Sequence, residues 1–317
     1  MLAIDAAALD RAIDTRALIE ALRQAFRREV EAPLRHHHTM PTAAGDATLL
    51  IMPAWEREQA IGIKLVSLMP GNPARDLPFI VGSYLLLDGA TGVPRAIMDG
   101  PTLTNRRTAA ASALAADYLA RPDTSRMVMV GAGALAPHFI RAHAAVRPLA
   151  DIAIWSRRPE QAIELAERLV AEGLPVRAVT DLEAVVRDAD LVSCATQSRE
   201  PIVHGAWLKP GAHLDLAGAY LPAMRESDDE AVRRSRIFVD TRAGALAEAG
   251  DLLQPIRAGV IGEDAILADL HDLTRGTAPG RGAPDEITLF KSVGTALEDL
   301  AAARLAVEAL EGQGASG

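Results

Sequence analysis

Cysteine is almost absent. Cys194 is the only one in 317 residues, so no disulfide framework can form and a Cys-based metal site is excluded. No run of about 18 apolar residues occurs, which argues against a membrane-spanning helix. Positive charge is in short supply. Lys and Arg number 33 against 42 Asp and Glu, a net charge of −9. No basic stripe of the kind that nucleic-acid binding needs is visible. The opening MLAIDAAALDRAID carries acids early and lacks a basic n-region, so it does not read as a signal peptide. What is there is 49% hydrophobic residues, enough for a sizeable core in two domains or one large one. The expectation is a cytoplasmic α/β protein.

The most informative stretch is 127–158, MVMVGAGALAPHFIRAHAAVRPLADIAIWSRR. Strand, glycine turn, helix and strand within about thirty residues make a dinucleotide-binding unit. Gly131 permits a tight turn. Gly133 lets the backbone approach a pyrophosphate, and Ala136, in the third small position, lets the helix pack on the strand. Ala134 and Leu135 lead into the helix N-terminus, whose free N–H groups and partial positive charge suit phosphates. The second strand ends Trp155-Ser156-Arg157-Arg158. An NAD-specific site usually carries Asp or Glu there, to bond the ribose 2′-OH. Two arginines instead suit a 2′-phosphate, so NADPH is expected ahead of NADH. The alternation continues through 176–179, 191–196, 213–220 and 236–240, about six strands of a doubly wound sheet. Thr196 and Ala217-Gly218 fall near strand C-termini, where such sheets bind ligands. A helix is expected over Ala245–Leu253, and Gly280 and Gly282 give a flexible stretch of the kind often found near ligands.

The N-terminal third reads differently. Leu18, Ile19, Leu22, Ala25 and Phe26 recur at helical spacing. His36, His37 and His38 lie in an extended, proline-bounded segment, where neighbours point to opposite faces. No partner is spaced as in a zinc site, so a polar surface strand is expected and no metal. Lys64 interrupts the apolar run AIGIKLVSL, sharing a face with Gly62 and Val66. It is either an edge-strand lysine or a lysine placed in a cleft. Segment 103–120 is an alanine-rich helix, expected to be capped by Thr104 or Asn105, which puts Arg106, Arg107 and Thr108 in its first turn. Cations at the positive end of the helix dipole cost stability unless an anion is present, which points to a carboxylate or phosphate site.

These motifs together resemble the ornithine cyclodeaminase/μ-crystallin family. The matching pieces are the arginine of PLR (Arg35), GIKLV with Lys64, LTNRRTAA with Arg107, GAGALA, GAHLDLAGA followed by MRE, VDTRAGALAEAGDL, and ITLFKSVGTALEDLAAA, over nearly the whole chain. The resemblance implies a homodimer of two-domain chains. A Rossmann domain at 119–293 binds the nucleotide, and an α+β substrate and dimerisation domain comprises 1–118 and 294–317. A small imino or amino acid is then held in a cleft beside the nicotinamide. Arg35, Lys64 and Arg107 are the expected substrate contacts. Arg107 and Ser292 join the glycine turn, Ser156, Arg157, Arg158, Thr196 and Ala217 as expected cofactor contacts. Cyclodeaminases of the family carry a catalytic aspartate after the strand corresponding to HLDLAGAY. That position is Tyr220 here, and the carboxylate is instead Asp215, within the strand. The pattern therefore looks most like the Δ1-pyrroline-2-carboxylate reductases, with Lys64 and Asp215 as catalytic candidates. The alternatives are ornithine cyclodeamination, an alanine dehydrogenase-like activity, and non-catalytic NADPH binding of the crystallin type.

Overall fold

The computed structural model describes residues 1–314; residues 315–317, the end of the expected segment 294–317, lie outside the described residues. The chain divides into two units, Met1–Arg107 with Thr295–Gly317, and Thr108–Gly294. The first boundary falls inside the helix Gly100–Leu119 rather than at 118/119. The second half of that helix is tied into the second unit by side chains. Ser112 donates to Asp215, Arg147 donates to the carbonyls of Ala116, Asp117 and Ala120, and Arg281 donates to that of Leu119.

The first unit is a seven-stranded sheet built from β1 (Leu2–Ile4), β2 (Val30–Glu31), β3 (His36–Thr42), β4 (Gly45–Glu56), β5 (Ala60–Leu68), β6 (Ile80–Asp88) and β7 (Pro94–Asp99). The order is β1-β7-β6-β5-β4-β2, with β3 also on β4, and only the β1–β7 pair is parallel. The helix Thr15–Arg27 begins at Asp14, whose side chain accepts from the Ala17 amide, and buries Leu18, Ile19, Leu22, Ala25 and Phe26. The leucine, isoleucine and phenylalanine side chains among them contribute roughly 1.5–3 kcal/mol each. The helix Ala296–Gly314 packs on it and on β4, β5 and β6. All seven residues of β3 are exposed, as a polar surface strand requires.

The second unit is one parallel sheet of β8 (Arg126–Val130), β9 (Asp151–Trp155), β10 (Val176–Val179), β11 (Leu191–Cys194), β12 (His213–Leu216), β13 (Ser235–Val239), β14 (Ile266–Asp269) and β15 (Ile287–Lys291). Their order is β10-β9-β8-β11-β12-β15-β13-β14. Strands buried on both faces read as near-continuous apolar runs, and β8, β9 and β11 do. The sheet reverses its order at β8 and β11, which puts Gly131 beside Ala195, at the switch point where doubly wound sheets bind ligands. Eight strands replace the expected six because β14 and β15 join, β15 between β12 and β13. Two local expectations fail. The helix expected over 245–253 is two, Arg242–Glu248 and Gly250–Arg257. The break at Ala249 accompanies the inward turn of Asp251, which accepts from the Glu226 and Ser227 amides. The glycine-rich stretch is not a free loop. Arg281 pins it to the carbonyls of Leu119 and Ala212 and to Thr288.

Candidate active site

Lys64 lies in the middle of β5, opposite Met52 on β4 and Tyr84 on β6. A strand paired on both sides has no edge, so the edge-lysine reading falls. Lys64 faces the side of the sheet covered by the helix Ala296–Gly314 and is 2% exposed. Gly62, two residues earlier, has no room for a side chain. A Cβ there would stand 1.8 Å from the Tyr84 hydroxyl and 3.1 Å from Leu300 Cδ1. The glycine therefore lets helix and tyrosine approach the strand closely, and this seats Asp299 over Lys64.

The geometry of that seat is specific. Asp299 Oδ1 accepts from Lys64 Nζ and from Arg107 Nε, each at 3.0 Å, and Asp299 Oδ2 is 2.8 Å from Lys64 Nζ. Glu298 Oε2 accepts from Arg107 Nη1 at 2.7 Å. Thr104 Oγ1 lies 3.5 Å from Lys64 Nζ. Burial lowers the Lys64 pKa, Arg107 lowers it further, Asp299 pulls it back up and Arg35 lowers it again, leaving it at about 8. Burial also opposes the charge on Arg107, but Asp299 and Glu298 outweigh it and hold the guanidinium firmly protonated. Burial works against the charged form of Asp299, and the two cations win, holding it below the usual carboxylate range. Arg35 is half-buried between β2 and β3 and joins this group through its field at Lys64.

Arg107 is not in the first turn of its helix. The helix starts at Gly100, where the Asp99 side chain accepts from the Thr102 amide at 2.8 Å. Arg106 and Arg107 therefore sit beyond the reach of the dipole's positive end. The anions beside them belong to the chain itself, Asp10 for Arg106 and Glu298 with Asp299 for Arg107.

In the second unit, Gly131 follows β8 with φ +111°, a conformation L side chains rarely adopt, and a Cβ there would meet the Ala195 carbonyl at 2.9 Å. A Cβ on Gly133 would meet nothing within 4 Å. Gly133 and Ala134 are exposed and Leu135 half-buried. Leu135 caps the helix Ala136–Val146 without a side-chain hydrogen bond; in the first turn the Ala136 amide donates to the Gly133 carbonyl, Pro137 has no N–H, and the His138 amide donates to the Leu135 carbonyl. Buried Ala136 packs the helix down as a small third residue should. The open, exposed turn at Gly133 and Ala134 leaves room for a dinucleotide's diphosphate against the backbone. Ser156 accepts from the Arg158 amide at 3.2 Å, and Arg157 and Arg158 are exposed.

Thr196, Ala217 and Ser292 follow β11, β12 and β15. Glu226, the acid of the MRE motif but not among the expected site residues, joins two of these loops. Its Oε1 accepts from the Thr196 amide and hydroxyl at 2.7 and 2.8 Å, and its Oε2 from the Gly218 and Ala219 amides at 2.8 and 3.2 Å. Burial pushes Glu226 up to about 7, with Lys291 opposing and Asp251 adding to the rise. The Ala217 amide bonds the Cys194 carbonyl, and Ser292 donates to Asp240 at 3.0 Å.

Asp215 belongs to a different setting. It is fully buried within β12, and its carboxylate takes Ser112 at 2.8 Å, Ser193 at 2.6 Å and His143 Nε2 at 3.2 Å. Burial raises its pKa, and the His143 and Ser193 contacts more than reverse this, keeping it ionised. With both oxygens engaged inside the sheet, Asp215 is a core anion that fixes the helix Gly100–Leu119 and the helix Ala136–Val146 to β11 and β12. Its candidacy as a catalytic group is withdrawn on this geometry.

The fold and these clusters define a two-unit α/β protein with a Rossmann-type nucleotide unit and a cationic substrate-type unit. The profile of the ornithine cyclodeaminase/mu-crystallin family matches residues 4–314, and the chain belongs to that family. The Delta(1)-pyrroline-2-carboxylate reductase of Paracoccus denitrificans is 42% identical over 287 residues, covering 88% of this chain and 90% of that protein. The structure of the Thermococcus litoralis Delta(1)-pyrroline-2-carboxylate reductase, in complex with NADH and L-proline, matches at a TM-score of 0.93 and 35% identity over 99% of this chain and 98% of that one. An archaeal alanine dehydrogenase dimer with bound NAD matches at a TM-score of 0.91 and 28% identity, over 99% of this chain and 97% of that one. Among the described residues no helix is long and apolar enough to cross a membrane.

Proposed function

We propose that this protein reduces cyclic imino acids, Δ1-pyrroline-2-carboxylate to L-proline in the first place and the six-membered Δ1-piperideine-2-carboxylate to L-pipecolate in the second, with NADPH preferred over NADH. The observation that carries the reading is the buried group of Lys64, Arg107 and Asp299, in which an ammonium with a pKa of about 8 sits beside a permanently charged guanidinium. That pairing suits a small anion whose nitrogen must gain a proton. The Paracoccus reductase and the proline-bound Thermococcus structure support it.

In this reading the cofactor's diphosphate rests on the backbone of Gly131, Gly133, Ala134 and Leu135. Ser156, Arg157 and Arg158 meet the 2′-phosphate, and Thr196, Ala217 and Ser292 line the remainder. When bound, the nicotinamide supplies a hydride to the C=N carbon. The chain supplies the rest. Arg107 and Arg35 hold the substrate carboxylate, since a planar guanidinium carries five donors and in Arg107 only the Nε N–H and one Nη1 N–H are spent, on Asp299 and Glu298. Lys64 gives the ring nitrogen its proton, so carbon and nitrogen each gain one hydrogen. A fixed carboxylate aligns the carbon for transfer. The apolar face of the first sheet opposite Lys64, with Leu65 and Ile97 exposed, is where two copies join. A monomeric mass in solution would remove that part.

The test is NADPH oxidation with pyrroline-2-carboxylate, piperideine-2-carboxylate, and pyruvate plus ammonia, together with ammonia release from ornithine. The cyclic imines should give the highest kcat/KM. Comparable efficiency with pyruvate plus ammonia, release from ornithine without imine reduction, or cofactor binding without any turnover would each replace the proposal by the corresponding alternative.

A further inference from the structure

The chemistry assigned above to Lys64 and Arg107 does not use Asp299, yet Asp299 touches both. We propose that Asp299 is a positioning residue: one carboxylate holds the Lys64 ammonium and the Arg107 guanidinium in a single arrangement, which keeps the proton on one and the aim of the other. The inference rests on the imine-reductase reading and adds a residue to it.

The geometry is that of a shared anchor. One oxygen, Asp299 Oδ1, takes both cations at 3.0 Å, so the two nitrogens stand no more than about 6 Å apart. Two like charges at that distance repel strongly wherever water is excluded. Asp299 is fully buried on a helix that packs on β5, and Leu300 beside it is seated against Gly62, so its aim is fixed by packing. Glu298, the preceding residue, pairs with Arg107 through Nη1. This splits the tasks: Glu298 balances the guanidinium, and Asp299 bridges.

Stability alone is a poor explanation of such a cluster. Buried ion pairs are often no better than apolar residues of equal volume, because desolvation cancels the attraction. A lysine–aspartate–arginine bridge placed at mid-sheet makes more sense as a device that keeps Lys64 charged beside another cation. The groups facing Lys64 from the surrounding elements are Arg107 and Thr104 from the helix Gly100–Leu119, Asp299 from the helix Ala296–Gly314, Tyr84 from β6, and Arg35 from the segment before β3. Among them only Asp299 raises the Lys64 pKa. Removing its charge leaves Arg107 and Arg35 unopposed at Lys64.

The test uses D299N and D299E in the full-length protein. In D299N the alkaline limb of kcat, set by Lys64, should move to lower pH by on the order of one to two units, since a uniform loss of attraction at this distance is of that size. The affinity for L-proline, measured by calorimetry on the protein with NADP⁺, should weaken on the order of 10-fold as Arg107 loses its anchor. D299E restores the charge with one extra methylene. Its limb should return to the wild-type position while kcat stays depressed. If D299N fails to fold, the D299E result decides alone. An unmoved limb and unchanged L-proline affinity in D299N, or wild-type kcat in D299E, would overturn the inference. Normal turnover in K64M would sink the Lys64 role itself, and so separates failure of the parent reading from failure of this one.

Discussion

Replacing Lys64 by methionine removes the ammonium of the buried group while keeping a side chain of similar length and flexibility. Asp299 keeps Arg107 as a partner in that variant, so no carboxylate is stranded. If Lys64 is the proton donor, kcat at neutral pH falls about 10²-fold, the usual weight of a positioned general acid. The wild-type pH profile gives a second measure. A donor with a pKa of about 8 is roughly nine-tenths protonated at pH 7 and roughly one-tenth at pH 9, so kcat should drop about tenfold between them. Stability moves the other way. The unfolded chain holds this proton up to the ordinary 10.5 and the folded chain only up to about 8. Across that window the unfolded state binds more protons, so wild-type stability gains with rising pH relative to K64M. Initial rates of NADPH oxidation with pyrroline-2-carboxylate, and denaturant melts across the same pH range, read both. A flat kcat through pH 9 together with near-normal K64M turnover would refute the donor role.

Other outcomes follow from the same geometry. Arg107→Lys keeps the charge but loses the planar fork, and KM for the imine should rise on the order of 10- to 100-fold with a smaller change in kcat; an unchanged KM removes Arg107 as the clamp. Changing both Arg157 and Arg158 to Ser should lower kcat/KM for NADPH about tenfold or more and leave NADH nearly untouched, because only the 2′-phosphate needs them; equal losses with both cofactors would mean the arginines serve the fold alone. Glu226→Gln replaces one acceptor oxygen by an amide that faces donors from Thr196 or from Gly218 and Ala219. NADPH affinity in a fluorescence titration should weaken about tenfold, and an unaltered affinity shows that these loops hold without the bridge.

Much of the nucleotide unit is legible in the sequence. GAGALA between two apolar runs specifies strand, turn and helix by local rules alone, and β8, β9 and the helix Ala136–Val146 follow. The helix Thr15–Arg27 was equally plain, because all five residues at helical spacing are the buried ones. The candidate site was legible only in part. Lys64 and Arg107 stood out as charges among apolar or alanine-rich neighbours. Asp299 sits some two hundred residues away, and only the tertiary fold pairs them. Its signal was present, two adjacent acids in the first turn of an alanine- and leucine-rich helix, ALEDLAAARLAV. The start of the helix at Gly100 was missed because β7 runs into it with no intervening loop, so Asp99 caps directly from the strand end. Asp215 was misread for a related reason. A charged residue in a strand announces an unusual setting, and only the side chains converging on it distinguish a core anion from a reactive one.

The most direct test of imine reduction follows the hydrogen itself. NADPH carrying deuterium on the transferable face of nicotinamide C4 is incubated with the protein and Δ1-pyrroline-2-carboxylate in ordinary water, and the product is examined by mass spectrometry and proton NMR. Imine reduction by this protein should give L-proline with a single deuterium at Cα, formed in step with NADP⁺. Proline without the label, or no proline while NADPH binds, would contradict it.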